Sequence, residues 1–277
     1  MHNQKVLITG TTGMLGRHFL EVFQEKYESV YTLNRSDGSL NNYEFVNDFV
    51  NEINPDIIVH CIADTNLSRC EENKNDTLLL HCGLTDCLSS FKSKFIYISS
   101  DSVINPINFY AKTKYLGEEV CRLNNKNSII VRTNIYGFNS SSKNSLVEWA
   151  LNSFKNSEVI TGFSDVIFNA VYTKQLVESV YHLIQSGVVG HINVGGNYSV
   201  SKFMFLKKLC KVFGYNSNLI SEGKLSDVNK NIKRPMDTTL DIKSLNSFGV
   251  NLSLDIGLNQ LKNDMWRYDE RNILYTR

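Results

Sequence analysis

The chain has 277 residues, 29 Lys+Arg against 28 Asp+Glu, a formal net charge of +1, and 42% hydrophobic against 21% charged residues. This length supports a buried core in one large α/β unit or two packed domains, and the apolar content excludes a disordered chain. A charge so close to neutral lacks the basic excess of a general nucleic-acid binder, so no nucleic-acid partner is expected.

No apolar stretch approaches the ~20 residues needed to cross a bilayer. The amino terminus runs from Met1-His2-Asn3-Gln4-Lys5 straight into a strand-like run. No membrane partner is expected, and the cytoplasm is the expected compartment. Strand-like apolar runs recur at 5–9, 29–33, 56–60, 95–98, 128–131 and 191–194. Runs without polar alternation suit strands buried on both faces of a parallel sheet. Between the first two lies a helix over 14–25, with Leu15, Phe19 and Phe23 on one face. Repeated β-α-β order predicts an α/β fold with a doubly wound parallel sheet.

After Arg132 the pattern changes. An Asn/Ser-rich stretch, Asn139 to Ser145, precedes helices expected over 146–154, 174–184, 202–213 and 254–265. The chain therefore divides into a dinucleotide-binding domain, 1–137 with about 166–195 returning to the sheet, and a smaller C-terminal substrate-binding domain, 138–165 with 196–277. Cys61, Cys70, Cys82, Cys87, Cys121 and Cys210 form no C-x-x-C pair and have no His at finger-like spacing. They read as reduced core residues or bystanders, and no metal is expected. His60 and His191 read as packed or hydrogen-bonded groups at strand ends, Lys207, Lys208 and Lys211 as a solvated helix face, and Trp266 as a packing anchor.

The first strand ends in Gly10-Thr11-Thr12-Gly13-Met14-Leu15-Gly16 and a helix follows at once. Glycines let backbone turn sharply and approach a pyrophosphate, whose charge the N-H groups and dipole of the helix stabilise. The spacing G-x-x-G-x-x-G is one residue looser at its start than the common dinucleotide fingerprint, so a Rossmann-type cofactor site is expected here. The second strand ends in Leu33-Asn34-Arg35-Ser36, where such a site meets the adenosine ribose. With no carboxylate at 34 or 35, and with Arg35 and Ser36 able to bind a 2′-phosphate, NADP is preferred. Asp37 keeps NAD open as the alternative.

Tyr110 and Lys114 stand four apart, so both project from one face of a helix. A lysine cation beside a phenol favours the phenolate, which predicts a lowered Tyr110 pKa and a proton donor and acceptor near neutral pH. Ser99-Ser100-Asp101 ends a buried strand just before them, and ligands of such sheets bind at strand carboxyl ends. A Ser100 hydroxyl there can hydrogen-bond a substrate carbonyl oxygen.

Cradle, serine and Y-x-x-x-K occur in the order of the short-chain dehydrogenase/reductase superfamily. The chain resembles its extended branch, closest to the dTDP-4-dehydrorhamnose reductases, through 10–16, 55–63, 98–101, 110–118, Val131-Arg132-Thr133-Asn134-Ile135-Tyr136-Gly137, and Arg234-Pro235 followed by Leu240-Asp241. The resemblance implies Tyr110 as proton donor, Lys114 on the nicotinamide ribose, Ser100 on the carbonyl oxygen and Asp101 as the acid of the Ser-Thr-Asp motif. It implies cofactor contacts from Gly10, Thr12, Gly13, Met14, Leu15, Arg35, Ser36, Ser39, Leu40, Cys61, Ile62 and Ala63, and a nucleotide-sugar substrate met by Asn134 and Arg234. A surface-polysaccharide pathway is the implied setting, and a homodimer an open form.

Four features depart from the pattern: Ser102 and Asp64 stand where tyrosines are usual, His81 where an Asn is usual, and Ser39-Leu40 in place of Asp-Leu. Only Asp101 to Phe109, with Pro106 among them, join the serine strand to the Tyr110 helix. So short a connection covers little of a sugar site, and 134–138, 163–169 and Lys233-Arg234 are expected to supply the rest, Arg234 holding the pyrophosphate or else tying the tail to the sheet. Two other activities remain open: an NAD-dependent epimerase or dehydratase, and a cofactor-binding regulatory subunit without turnover, as the methionine adenosyltransferase beta subunit resembles these reductases.

Overall fold

Val6, Leu7 and Ile8 are fully buried in the first strand, and they alternate between two cores: Val6 and Ile8 face one layer of helices, Leu7 the other. That period of two, inside a strand with no polar alternation, is what a sheet covered on both faces requires. The computed structural model describes residues 1–139, 145–228 and 232–274, the side chains of 266–274 excepted. Most of the Asn/Ser-rich stretch and the Trp266 side chain lie outside the described residues.

The chain opens with β1 (His2–Thr9), α1 (Met14–Lys26), β2 (Tyr27–Leu33), α2 (Tyr43–Ile53) and β3 (Ile57–His60). Then come α3 (Leu67–Glu72), α4 (Lys74–Leu78), a π-helical turn over Leu79–Gly83, α5 (Leu84–Ser89), β4 (Lys94–Ile98), α6 (Phe109–Asn124) and β5 (Ile129–Thr133). The later part holds β6 (Ile135–Tyr136), α7 (Leu146–Lys155), β7 (Ile160–Phe163), β8 (Ile167–Phe168), β9 (Val171–Tyr172), α8 (Thr173–Gln185) and β10 (Gly190–Val194). It ends with β11 (Val200–Ser201), α9 (Lys202–Phe213), β12 (Ile220–Gly223), α10 (Lys243–Ser247) and α11 (Leu254–Leu274).

Six parallel strands form the central sheet in the order β10-β5-β4-β3-β1-β2. Its strands are the six apolar runs of the sequence, β2 beginning earlier, at Tyr27. Phe19 and Phe23 of α1 pack with Leu176 and Val180 of α8 on one face; Val46, Leu84, Leu88 and Cys121 cover the other. The chain reverses direction between β1 and β3, so the carboxyl ends of the strands there open a crevice, the usual ligand position in such sheets. A separate core of Tyr136, Val147, Phe154, Phe168, Phe205, Leu209 and Leu258 joins α7, α9 and α11 beside that crevice.

The last helix runs to Leu274, beyond the 265 at which its apolar stripe stops. Helix-forming residues such as Arg267, Glu270 and Arg271 continue it where the pattern no longer marks it. No described helix is long and apolar enough to cross a membrane.

Candidate active site

Gly10 ends β1 with φ +76°, a conformation costly for any residue with a Cβ, and its N-H donates to the Leu33 carbonyl at 2.9 Å. α1 then passes so close to the loop that a Cβ on Gly16 would stand 2.2 Å from the Gly10 carbonyl oxygen. Gly13 caps α1 without a side-chain bond, leaving N-H groups of the first turn to an anion. Glycine where the backbones touch, and a bare helix terminus facing a groove, fit a dinucleotide pyrophosphate.

That groove holds about 660 Å³ and is lined by Gly10, Thr12, Gly13, Met14, Leu15, Arg35, Cys61, Ile62, Ala63, Ser100, Asp101, Tyr110, Lys114 and Asn134. A second cavity of about 390 Å³ shares Arg35 and adds Ser39, Leu40 and Arg69. Ser36 lines neither; its exposed hydroxyl donates to Asp37 at 3.1 Å, and the other Asp37 oxygen accepts the Asn34 amide at 2.7 Å. Asn34 is buried, its side-chain oxygen accepting from Thr11 Oγ1 at 3.1 Å, so it braces the glycine loop.

Ser100 caps the short turn after β4 by accepting the Ser102 amide at 3.2 Å, and its hydroxyl donates to Asp101 at 3.1 Å. Asn134 Nδ2 donates to the other Asp101 oxygen at 2.5 Å, which commits the Asn134 amide to positioning that carboxylate. Asn108 caps α6 by accepting the Ala111 amide at 2.9 Å, and Tyr110 and Lys114 follow on the face toward the groove. Lys114, 2% exposed, donates from Nζ to the Ile98 carbonyl at 2.7 Å and stands 4.1 Å from the Tyr97 ring centroid.

Here the lysine-lowered phenol expected from sequence is corrected. Burial pushes the Tyr110 pKa up to about 12, the hydrogen bond with Ser100 opposing it and Asp101 adding to the rise. Lys114 is turned to the end of β4, and burial lowers its pKa to about 8 against the raising effect of Glu118. At neutral pH the phenol keeps its proton and the amine remains largely cationic.

Sequence reasoning missed the support behind this pair. Glu118, one turn beyond Lys114 and fully buried, accepts from Arg132 at 2.6 and 2.9 Å and from Ser99 at 2.5 Å, with His191 at 3.3 Å. Burial would raise the carboxyl pKa, but the bonds from His191, Arg132 and Ser99 outweigh it and hold it below its ordinary value. The spacing of Tyr110, Lys114 and Glu118 was the available signal. His191 is thus hydrogen-bonded to a buried carboxylate, one of the two alternatives the sequence offered.

Lys202 was also missed. It opens α9 beside its cap Ser201, with Nζ 3.5 Å from the Phe168 ring centroid. Burial lowers its pKa to about 8, Asp101 raising it and Arg234 lowering it again. Asn108 Nδ2 donates to the Lys233 carbonyl at 3.1 Å, tying the Arg234 segment to the start of α6. Asn169 is spent on structure, bonding Gly196 and Leu240. Of the lysines read as a solvated face, Lys208 pairs with Asp255 at 2.8 Å and Lys207 lies over Phe203.

Residues 4–255 match the RmlD substrate binding domain. The chain belongs to that family. It is 27% identical over 266 residues to the spore coat polysaccharide biosynthesis protein SpsK of Bacillus subtilis, covering 89% of this chain and 92% of that one. It is 24% identical over 310 residues to methionine adenosyltransferase 2 subunit beta of Rattus norvegicus, covering 96% and 88%. Its fold is similar to the crystal structure of dTDP-4-dehydrorhamnose reductase from Bacillus anthracis in complex with NADP, with TM-score 0.87, 25% identity, and 95% and 100% coverage. The α/β architecture of this RmlD-type chain is thus that of an NADP-binding reductase.

Proposed function

We propose that the protein is an NADPH-preferring reductase of a nucleotide-linked keto-deoxysugar, working in the cytoplasm to supply a polysaccharide precursor. The observation that carries this reading is that Ser100, Tyr110 and Lys114 line the same groove as the glycine cradle. The similarity to a reductase crystallised with NADP and to a spore coat polysaccharide biosynthesis protein supports it.

Gly10, Gly13 and the first turn of α1 would hold the pyrophosphate, Arg35 the 2′-phosphate, and Cys61 to Ala63 the neighbouring edge of the cofactor. NADPH, when bound, would supply the two reducing electrons. On substrate binding the Ser100 hydroxyl would turn its one proton from Asp101 to the sugar carbonyl oxygen, and Tyr110 gives its proton to that oxygen as it becomes an alcohol. With its pKa pushed up to about 12 by burial, the phenol begins each turnover protonated, as a proton donor must. Lys114 brings positive charge to the groove and would hold the nicotinamide ribose. Asp101, fixed by Asn134, orients the Ser100 hydroxyl, while Arg234 would meet the substrate pyrophosphate and Lys202 its sugar side.

A panel of nucleotide-linked 4-keto-6-deoxysugars, followed by loss of NADPH absorbance, tests the proposal. Steady consumption is expected. Product without net consumption would replace it with an epimerase, and cofactor binding without turnover with a regulatory subunit, the reading that the methionine adenosyltransferase similarity favours.

A further inference from the structure

His81 lies in the π-helical turn between α4 and α5, 1% exposed, and both of its ring nitrogens are engaged. The Asp64 amide points at Nε2 from 2.9 Å. A backbone N-H only donates, so Nε2 accepts and the ring proton sits on Nδ1, which donates to Thr113 Oγ1 at 2.8 Å. Thr113 Oγ1 in turn lies 3.0 Å from both the Phe109 and Tyr110 carbonyls, to which its proton is directed. The imidazole also stands edge-on to the Tyr110 ring, with centroids 5.8 Å apart and planes at 83°.

The turn itself is braced. Tyr43 donates its hydroxyl proton to the Leu79 carbonyl at 2.9 Å, and Thr85 to the His81 carbonyl at 2.6 Å. Such π turns interrupt helices where a side chain must be re-aimed, frequently at functional sites. Here the turn brings one imidazole between the loop leaving β3 and the helix that carries Tyr110 and Lys114.

We propose that His81 is a positioning residue that fixes the Tyr110 helix against the Cys61–Asp64 loop, and with it the proton donor against the cofactor edge of the groove. The inference rests on the reductase reading for the identity of the donor. His81 does not itself move protons. Burial and the Lys114 charge lower its pKa to about 3, against the raising effect of the Asp64 carboxylate. Asp64, Lys114, Tyr110 and His60 are the ionisable groups around it, and a proton on Nε2 would confront the Asp64 N-H.

The test compares His81→Leu, which keeps bulk without hydrogen bonds, with His81→Asn, which offers one acceptor and one donor. In the Leu variant kcat is expected to fall about 10–100-fold, the cost of a displaced reacting group, with NADPH affinity within about twofold. Exchange of the Asp64 amide, read by NMR, is expected to accelerate. His81→Asn should recover most of both. In the unmutated protein the imidazole nitrogens should show the Nδ1-H tautomer unchanged from about pH 8 to about pH 5.

A Leu variant with undiminished kcat, an Asn variant no better than the Leu variant, or a ring that titrates in that range would overturn the proposal. Should His81→Leu not fold, Thr113→Val removes the other partner, and full kcat in it would likewise overturn the role. A protein that binds NADPH but reduces no keto-sugar would defeat the reductase reading alone, and the tautomer and Asp64 exchange would then decide whether the His81 link exists.

Discussion

The glycine end of the groove is made of contiguous backbone, whereas the end at Ser100 and Tyr110 is made of side chains that arrive from separate elements. Residues 10–16 build the cradle, braced by Asn34, through a positive φ, a close helix approach and a helix start with no side-chain cap. At the other end Asp101 follows β4, Asn134 follows β5, and Tyr110 and Lys114 stand on α6. A backbone site depends on little except glycine at a few positions. A side-chain site depends on the whole packing that delivers its members.

The largest test of this division is Tyr110→Phe. It should lower kcat about 10²–10⁴-fold, the usual contribution of a general acid, while calorimetry finds NADPH binding unchanged. Retention of more than a tenth of the activity would remove Tyr110 from the role.

Glu118→Ala removes one partner of a buried pair, which costs about 3–5 kcal/mol when both partners are dry. Arg132 keeps 24% exposure, so the loss in urea unfolding should lie near the lower figure. The carboxyl pKa of Glu118 is held below its ordinary value in the fold. Its stabilisation is therefore complete above the ordinary carboxyl pKa and lost as pH falls through the depressed one. An Ala variant as stable as the parent would show that the catalytic helix is not anchored through this network.

Arg35→Asp should erase a preference for NADPH worth about 1.5–3 kcal/mol, the scale of a charge-assisted hydrogen bond. Equal affinity of the unmutated protein for NADPH and NADH would reassign Arg35 to the solvent.

The smallest effect separates the two ends by pH. Lys114 and Lys202 both have pKa values lowered to about 8. Their positive charge is costly to the fold below that value, and the cost is relieved as pH rises toward the ordinary lysine pKa. The charge that serves the site is lost over the same rise, so kcat should fall above about pH 8 through Lys114 and substrate KM should rise several-fold through Lys202. Lys202→Arg should flatten the KM profile and leave the fall in kcat. A KM rise that persists in the Arg variant would place its origin elsewhere.

The same division explains what could be read before the structure. All six sheet strands were legible because each carries a short apolar run, the inner ones buried on both sides, and Tyr110 with Lys114 because helix period alone puts them on one face. Lys202 was not, since nothing at the start of an amphipathic helix announces a partner as remote in sequence as Asp101. Ser36 was read as a phosphate ligand from its position, yet its hydroxyl is directed to Asp37. The protonation of Tyr110 was misread for a related reason: spacing places Lys114 on the same face, but the bond to the Ile98 carbonyl decides where the amine points.

Tyr110, Lys114 and Glu118 are three marks on one ruler. Each interval of four residues advances about 6 Å along the axis and overshoots one full turn by about 40°. Inserting or deleting one residue within the ruler would rotate everything beyond it by about 100°, sending either the proton donor or its anchor to the wrong side of the helix. Between these marks Thr113 and Gly117 are held by their own contacts, while the length of the ruler is fixed throughout.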